Sequence, residues 1–412
     1  MDRRRFLGVA GGGLALGTLG GCGSGGGDAN SGGDGGTVKL VSSMPRTGSA
    51  KGQTDTIANG IQLAIDEYGG TVAGMKIAYE DWDDATASKG SWTAELESAN
   101  AKKAILDEDV VAYIGPYNSQ AAGISMPILG EAGLLQISPA VTWIGLTKKN
   151  DIGPPDEPMK YRHKGRVTFG RVCPTDETQG PMAAEFAKSE LKAKTAYILD
   201  DREVYGQGVA GLFKKRCEKL GIQILGHEGI DASQNEFSAT IGKIKAKNPD
   251  VLYFGGTTQS KGGQIAKDMK AAGLKCPLIV PDGCYELSFI ESAGQENLGN
   301  CYATMGGLDW VALTGPGLEF VKKYQAKYKK DPEAYAIYGY EAAKVILHTI
   351  KKVGKKDREA ILTQCLATKD FSEGALGKWS FDADGDISLQ NFTISKIENG
   401  KFKPVKVMDK VI

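Results

Sequence analysis

The chain has no excess of charge of either sign. Fifty Lys and Arg residues balance 50 Asp and Glu residues among 412 residues. Because nucleic acids and acidic membrane surfaces attract proteins with an excess of positive charge, the composition argues against both partners. The hydrophobic fraction of 41% is that of an ordinary globular protein, and the length suits roughly two or three domains.

Catalytic signatures are missing as well. The sequence has no Gly-x-Ser-x-Gly, no Gly-x-x-x-x-Gly-Lys-[Ser/Thr], and no Gly-x-Gly-x-x-Gly that opens a helix after a strand. Only three histidines are present, His163, His227 and His348, and each is expected at the surface or in packing. We therefore expect a protein that is not an enzyme and that needs no cofactor.

The cysteine spacing argues against a metal site. No two of the seven cysteines are spaced Cys-x-x-Cys, so no zinc site is predicted. A disulfide is allowed outside the cytoplasm, and Cys276 and Cys301 each lie at the start of a predicted strand, where neighbouring parallel strands could pair them. Cys284 is a competing partner. The pattern leaves the pairing open among Cys173, Cys217, Cys276, Cys284, Cys301 and Cys365.

The sequence has no apolar run long enough to span a bilayer. Its N-terminal stretch is instead typical of an export signal, with Arg3 and Arg4 in the twin-arginine arrangement Arg-Arg-x-Phe-Leu. This stretch ends in Leu-Gly-Gly-Cys22, which resembles the bacterial lipobox. We expect residues 1–22 to be the signal, Cys22 to be lipidated, and the Gly-rich residues 23–36 to be a flexible tether. The alternative is a Gly-rich tail with a chance cysteine.

After the tether, predicted strands alternate with predicted helices. The apolar run at residues 110–114 and the helical pattern at residues 119–131 are one example. A segment rich in Pro and charge, residues 148–165, interrupts the alternation, which resumes between residues 196 and 280. Two such series predict an α/β fold of two lobes, each with a doubly wound parallel sheet.

The last part of the chain departs from this alternation. It has three amphipathic helices and then a turn-rich hairpin around Asp382-x-Asp384-x-Asp386. The glycine and the distal Glu of a calcium loop do not fall in register, so we expect a solvated turn there.

Polar residues and tight turns follow several predicted strands. Ligands of open α/β sheets bind beyond the carboxyl ends of the strands, and those ends lie near residues 115–119, 138–142, 200–201, 255–258 and 281–283. The helix that starts near Ser119 would offer unpaired N–H groups and a positive dipole end to an anion. The alternative is that Ser119 only caps the helix.

These segments, in their order and spacing, resemble the leucine/isoleucine/valine-binding proteins of branched-chain amino acid ABC importers, in the type I periplasmic-binding-protein superfamily. The resemblance covers roughly residues 38–407. It rests on these segments: Gly115 to Ser119, Ile137-Ser138-Pro139-Ala140-Val141-Thr142, Gln179-Gly180-Pro181, Asp201, Tyr205-Gly206-Gln207-Gly208, Phe237-Ser238, Phe254-Gly255-Gly256 and Pro281-Asp282-Gly283.

The resemblance implies two lobes joined by a hinge of three segments. Residues 37–171 and 306–378 are expected in the first lobe, and residues 172–305 and 379–412 in the second. The hinge crossings are then expected near Arg171, Met305 and Lys378.

The resemblance also implies roles for individual residues. Ser119 and Thr142, helped by the backbone of Ala140, are expected to bind the α-carboxylate of a ligand. From the second lobe, Tyr205 would close the cleft, with Thr257 beside it. Asp282, where the leucine-type proteins carry Glu, would bind the ammonium group.

Two departures from the family pattern concern the ligand side chain. Thr257 and Lys51 stand where the family carries aromatic residues, and their polarity weakens an apolar side-chain pocket. The pattern thus indicates a small or polar ligand: another amino acid, an amide or a urea-like compound. Segment 150–166 is expected to cover the cleft, and Trp82 and Trp143 are either replacement stacking surfaces or core residues.

Taken together, we expect a monomeric extracytoplasmic lipoprotein, in the periplasm or on the outer face of the cytoplasmic membrane. It would capture a small-molecule ligand between its lobes and deliver it to an ABC permease. The alternatives are a ligand-sensing lipoprotein of the same fold that signals to a membrane receptor and, further off, a cell-surface enzyme. The sequence identifies neither the ligand nor the transporter.

Overall fold

The computed structural model describes residues 35–408. The expected export signal, Cys22 and almost all of the expected tether therefore lie outside the described residues. Within residues 35–408, no helix has the length and apolar character needed to cross a membrane.

The described residues form 15 strands and 11 α-helices. The strands are β1 (Thr37–Met44), β2 (Thr71–Val72), β3 (Met75–Asp83), β4 (Ala85–Thr86), β5 (Ser91–Trp92), β6 (Val110–Ile114), β7 (Leu135–Ser138), β8 (Phe169–Arg171), β9 (Thr195–Asp200), β10 (Gln223–Gly229), β11 (Val251–Gly255), β12 (Leu278–Val280), β13 (Cys301–Gly306), β14 (Phe392–Glu398) and β15 (Lys401–Met408). The helices are α1 (Lys51–Glu67), α2 (Ala94–Leu106), α3 (Ser119–Glu131), α4 (Asp176–Ser189), α5 (Val204–Lys219), α6 (Ser238–Lys247), α7 (Gly262–Ala271), α8 (Leu287–Ala293), α9 (Gly315–Tyr328), α10 (Ala336–Val353) and α11 (Arg358–Leu366).

Two large sheets define two lobes. The first lobe contains the sheet β2-β3-β1-β6-β7-β8, and the second lobe contains the sheet β10-β9-β11-β12-β13-β14-β15. In each sheet the central strands pair in parallel with their neighbours. The antiparallel pairs lie toward one edge of each sheet. Every residue of β6 and of β11 is buried, as expected for parallel strands with helices on both faces. The predicted α/β fold with two parallel-sheet lobes is confirmed.

The first lobe is completed by helices from the C-terminal half of the chain. Helix α10 packs along α1, and the two backbones come unusually close. A Cβ added at Gly60 would lie 2.2 Å from the carbonyl oxygen of Ala336, and one added at Gly339 would lie 2.4 Å from that of Ile57. This close packing fixes the start of α10 near the carboxyl end of the first sheet.

The chain passes between the sheets three times: after β8, after β13 and before β14. Helices α9, α10 and α11 lie on the first lobe between the last two crossings. The lobe boundaries expected at residues 171, 305 and 378 stay a prediction.

One buried ion pair joins the first and third crossings. Arg171 Nε, at the end of β8, lies 2.7 Å from Asp386 Oδ1, and both side chains are almost completely buried. Arg171 Nη1 also donates to the carbonyl oxygens of Val141 at 3.1 Å and Trp143 at 2.9 Å. The guanidinium thus holds the backbone on both sides of Thr142.

The turn that carries this pair differs from the prediction. Asp386 is 1% exposed, so the expectation of a solvated turn is wrong for this residue. The neighbouring acids are also paired, Asp382 with Lys148 at 2.7 Å and Asp384 with Arg162 at 3.0 Å. Both cations come from the segment that interrupts the sequence pattern, more than 200 residues before this turn, which is why local spacing could not reveal them.

The disulfide that the sequence allowed between Cys276 and Cys301 does not form. All six cysteines among the described residues are free thiols. Strands β12 and β13 are neighbours as expected, but Leu278 lies opposite Cys301, which leaves Cys276 displaced along the strand direction. With about 3.3 Å per residue and 4.8 Å between strands, the two Cα atoms are too far apart for a disulfide.

Candidate ligand-binding site

A cavity lies between the lobes at the carboxyl ends of both sheets. Its volume is about 20 Å³. All six residues expected to bind ligand line it, three from each lobe: Ser119, Ala140, Thr142, Tyr205, Thr257 and Asp282. The structure thus brings the expected residues together, and their ligand-binding roles stay predictions. Four further residues complete the lining: Tyr117, Asn118, Gly283 and Tyr335.

The first-lobe side of the cavity is formed by the start of α3 and the loop after β7. Asn118 is the cap residue of α3 and makes no side-chain hydrogen bond to the helix. Ser119 is therefore the first helical residue rather than the cap, and its Oγ accepts a hydrogen bond from the N–H of Trp143 at 3.4 Å. The N–H of Ala140 donates to Ser138 Oγ at 3.2 Å, so this backbone group is already engaged.

The second-lobe side contains a buried carboxyl group, Asp282, with neutral partners. Tyr205 donates to Asp282 Oδ1 at 2.5 Å and Gln179 Nε2 donates to the same oxygen at 2.6 Å. Tyr335, from the start of α10 in the first lobe, donates to Asp282 Oδ2. Burial raises the pKa of Asp282, and the hydroxyl donors oppose that shift.

A second buried carboxyl group, Asp176, lies behind Asp282. Gln179 Nε2 bridges the two acids, since it also donates to Asp176 Oδ1 at 2.9 Å. Asp176 Oδ2 has no hydrogen-bond partner among the described residues, and the N–H of Asp176 donates to the carbonyl oxygen of Thr142 at 3.0 Å. Burial, and then the charge of Asp282, raise the pKa of Asp176 well above its usual range. Two acids in one buried site favour a positively charged partner.

Several residues of this site were not identified from the sequence. Tyr117 belongs to a predicted strand-end loop, so the sequence pattern could have identified it. Its hydroxyl is buried with no hydrogen-bond partner among the described residues. Tyr335 could not be found in this way, because it reaches the cavity only through the packing of α10 on α1. Gln179 lies on α4, a helix that the sequence pattern left unassigned, although the segment that contains it carries the family resemblance.

Hydrogen bonds cross between the lobes around the cavity. Gln53 Nε2 donates to the carbonyl oxygen of Tyr285 at 3.1 Å. Asn118 Nδ2 donates to Gln259 Oε1 at 2.9 Å. Together with the bond from Tyr335 to Asp282, these contacts hold the lobes in a closed arrangement.

Of the two residues that depart from the family pattern, one lines the cavity and the other does not. Thr257 lines the cavity as expected. Lys51 does not line it, and its side chain is 55% exposed and paired with Asp55. Trp82 and Trp143 are buried in apolar clusters and do not line this cavity, which favours the core alternative.

The interrupting segment does not cover the cavity. None of the lining residues comes from 150–166. The segment packs instead against α3 and α5, and its Glu157 accepts a hydrogen bond from Trp143 Nε1 at 3.1 Å. The expectation that it covers the cleft is therefore wrong.

Comparison with known proteins identifies a family over most of the chain. A family model described as periplasmic binding protein matches residues 37–401. The Leu/Ile/Val-binding protein BraC3 of Rhizobium johnstonii is 28% identical over 370 residues, which cover 89% of this chain and 92% of that protein.

Solved structures agree with this match. The leucine-binding protein LivK of Thermotoga maritima superposes with a TM-score of 0.78 at 27% identity, over 90% of this chain and 99% of that one. The branched-chain amino acid transporter substrate-binding protein LivJ of Streptococcus pneumoniae, solved with isoleucine, superposes with a TM-score of 0.77 at 25% identity, over the same shares of the two chains. The chain belongs to the periplasmic binding protein family and is of its Leu/Ile/Val-binding type, a substrate-binding protein of extracytoplasmic location.

Proposed function

We propose that this protein is a membrane-anchored lipoprotein that captures an amino acid or a similar small polar ligand between its lobes and delivers it to an ABC importer. The observation that carries the proposal is the single cavity lined by Ser119, Thr142 and Asp282 from opposite lobes. Such an arrangement provides hydroxyls and a helix start at one end and a carboxyl group at the other.

The first lobe would bind the ligand carboxylate. The start of α3 offers its N–H groups and the positive end of its dipole. The hydroxyls of Ser119 and Thr142 add hydrogen bonds to the same anion. The absence of a side-chain cap on α3 supports this role, because a cap would compete for those N–H groups.

The second lobe would bind the ligand ammonium. Asp282 is buried among neutral donors, and its charge helps burial to raise the pKa of the nearby Asp176. An ammonium group between the lobes supplies the positive charge that this site favours. The hydroxyl of Tyr335, from the first lobe, donates a hydrogen bond to Asp282 Oδ2. A ligand ammonium would approach Asp282 from this same side.

Ligand binding would then be linked to closure. The ligand first contacts Ser119, Ala140 and Thr142, and the second lobe follows with Tyr205, Thr257 and Asp282. Because only contacts made to both lobes favour the closed form over the open one, affinity and conformation change together.

The direct test is a thermal-shift screen of amino acids, amides and small polyols, followed by calorimetry. A true ligand raises the melting temperature because it binds only the folded protein. We expect at least one zwitterionic amino acid or amide to do so. If none does and only polyols stabilise the protein, the amino-acid proposal fails.

The membrane anchor has a separate test in the producing cell. Replacing Cys22 by Ser should move the protein from the membrane fraction to the soluble extracytoplasmic fraction, because the thiol that would carry the lipid is gone. Replacing Arg3 and Arg4 by Lys should leave the precursor inside the cell. A Cys22→Ser protein that stays in the membrane fraction would contradict the anchor.

Sensing is the alternative to transport, with the same fold and the same ligand chemistry. Deletion of the gene distinguishes the two. Loss of ligand uptake favours delivery to an importer, whereas normal uptake with loss of a cellular response to the ligand favours signalling.

A further inference from the structure

A second cavity opens directly beside the first one. Its volume is about 80 Å³, and it shares Asn118, Ser119, Tyr205 and Thr257 with the smaller cavity. A ligand held at Ser119 and Asp282 would therefore direct its side chain into this second cavity. The chemistry of its walls then selects the side chain.

Two amide side chains from opposite lobes, Asn118 and Gln259, line this cavity. Asn118 Nδ2 donates to Gln259 Oε1 at 2.9 Å, which satisfies one atom of each amide. The other two atoms, Asn118 Oδ1 and Gln259 Nε2, are buried without a hydrogen-bond partner among the described residues. The first lobe thus presents one free acceptor and the second lobe one free donor.

The donor and acceptor count does not depend on how the two amides are oriented. If the oxygen and nitrogen of both amides were exchanged, the same single bond would form between them, and one donor and one acceptor would again remain. Buried amide atoms left unpaired cost free energy. A group that contains both an acceptor and a donor would satisfy the pair.

The remaining walls combine polar and charged groups of both signs with the ring of Trp92 and the methyl group of Ala232. Ser260 donates to Asp201 Oδ2 at 2.5 Å and also bonds with Thr257 Oγ1 at 2.8 Å. Burial raises the pKa of Glu203, and the charge of Lys89 opposes the shift. An aliphatic side chain would leave the two amide atoms without partners. A carboxylate would face Asp201 and Glu203.

We propose that the ligand carries an uncharged carboxamide at the end of its side chain, and that this group binds between Asn118 and Gln259. Its carbonyl oxygen accepts a hydrogen bond from Gln259 Nε2, and its NH₂ group donates to Asn118 Oδ1. The inference rests on the proposed function, because it assumes that the ligand's carboxylate and ammonium occupy the first cavity. The expected ligand class is an amino acid with an amide side chain.

Calorimetry with ligands of matched shape tests this. L-Asparagine, L-leucine and L-aspartate share one skeleton of non-hydrogen atoms up to the branch at Cγ, and L-glutamine and L-glutamate extend the comparison. We expect asparagine or glutamine to bind at least about 10-fold more tightly than leucine, aspartate or glutamate, the loss expected for an unpaired buried donor or acceptor. A basic analogue, L-2,4-diaminobutyrate, should bind no better than leucine.

The outcomes separate this inference from the proposed function. The carboxamide inference is overturned if leucine, an acidic amino acid or the basic analogue binds as tightly as the amide amino acids. That result leaves the proposed capture of amino acids intact. If no amino acid binds, the carboxamide inference fails; the proposed function fails as well if no simple amide or other small polar ligand of the thermal-shift screen binds.

A variant assigns the effect to Gln259. Gln259→Met keeps the chain length and removes the donor, so the preference for the amide ligand over leucine should fall about 10-fold or more. Gln234→Met, at an exposed position, is the matched control and should change nothing. If Gln259→Met weakens leucine and the amide equally, Gln259 acts only by holding the lobes together, and the assignment is overturned.

Discussion

At the scale of single residues, Asp282 shows how an acid can be kept ready for a cation. Its two oxygens take hydrogen bonds from Tyr205, Gln179 and Tyr335, none of which carries a charge. These donors keep the carboxylate from being left unpaired in a buried site, but they do not neutralise it. A ligand ammonium would do so, which makes the charge of Asp282 more important than any one hydroxyl.

We predict that Asp282→Asn weakens binding of an amino acid about 100-fold or more, because a buried ammonium would lose its negative partner. Ser119→Ala should cost only about 10-fold, since it removes one hydrogen bond and leaves the N–H groups of α3 in place. Isothermal calorimetry on the two variants measures the difference. Equal affinity of wild type and Asp282→Asn would remove the ammonium assignment.

At the scale of elements, the ion pair of Arg171 and Asp386 joins two crossings between the lobes. Both side chains are almost fully buried. Removal of one partner from such a pair leaves the other charge uncompensated in a place that water does not reach.

We therefore predict that Asp386→Asn lowers the free energy of unfolding by about 3–5 kcal/mol. The control lies two residues away in the same turn. Asp384, whose side chain is 37% exposed, pairs with Arg162 at 3.0 Å, and Asp384→Asn should cost at most about 1 kcal/mol. Urea unfolding measures both values, and similar losses in the two variants would contradict the prediction.

The order of the helices and strands explains which site residues could be predicted from the sequence. The apolar run of β6 and the turn after it were sufficient to predict Ser119 as the start of a helix at a sheet edge, because strand, turn and helix are consecutive. Parallel strands all end at one edge, so Thr142, Thr257 and Asp282 could be placed there too. No local pattern, however, relates Arg171 to a residue 215 positions later, or Tyr335 to a strand end in the other lobe.

At the scale of the whole molecule, closure brings together acids from both lobes. Glu286 of the second lobe is 2% exposed, and burial, with the nearby Glu333 of the first lobe adding, raises its pKa to about 8. Glu333 also accepts a hydrogen bond from the N–H of Leu287 across the lobes at 3.1 Å. Protonation of Glu286 therefore accompanies folding into the closed form.

The sign of the pH effect follows from this shift. An acid whose pKa is higher in the folded state binds more protons there, so its contribution to stability is complete in acid and is lost as pH rises toward about 8. We predict that Glu286→Gln makes stability less dependent on pH between about pH 4.5 and 8, by at most about 1.4 kcal/mol per pH unit.

Urea unfolding of wild type and Glu286→Gln at several pH values gives the difference directly. Glu131→Gln, at an exposed position at the end of α3, is the control and should follow wild type. Parallel curves for wild type and Glu286→Gln across this range would show that Glu286 is not protonated in the folded protein.

Arg171 lies at the first crossing between the sheets and also contacts the first-lobe side of the cavity. It donates hydrogen bonds to the carbonyl oxygens of Val141 and Trp143, on either side of Thr142. In the proposed closing motion, a rotation about this crossing would leave the first-lobe side of the cavity unchanged while the second-lobe side moves away. We therefore expect compounds that share a carboxylate to dock at similar rates, whatever the rest of their structure. Discrimination between cargoes would lie in how long each one is retained.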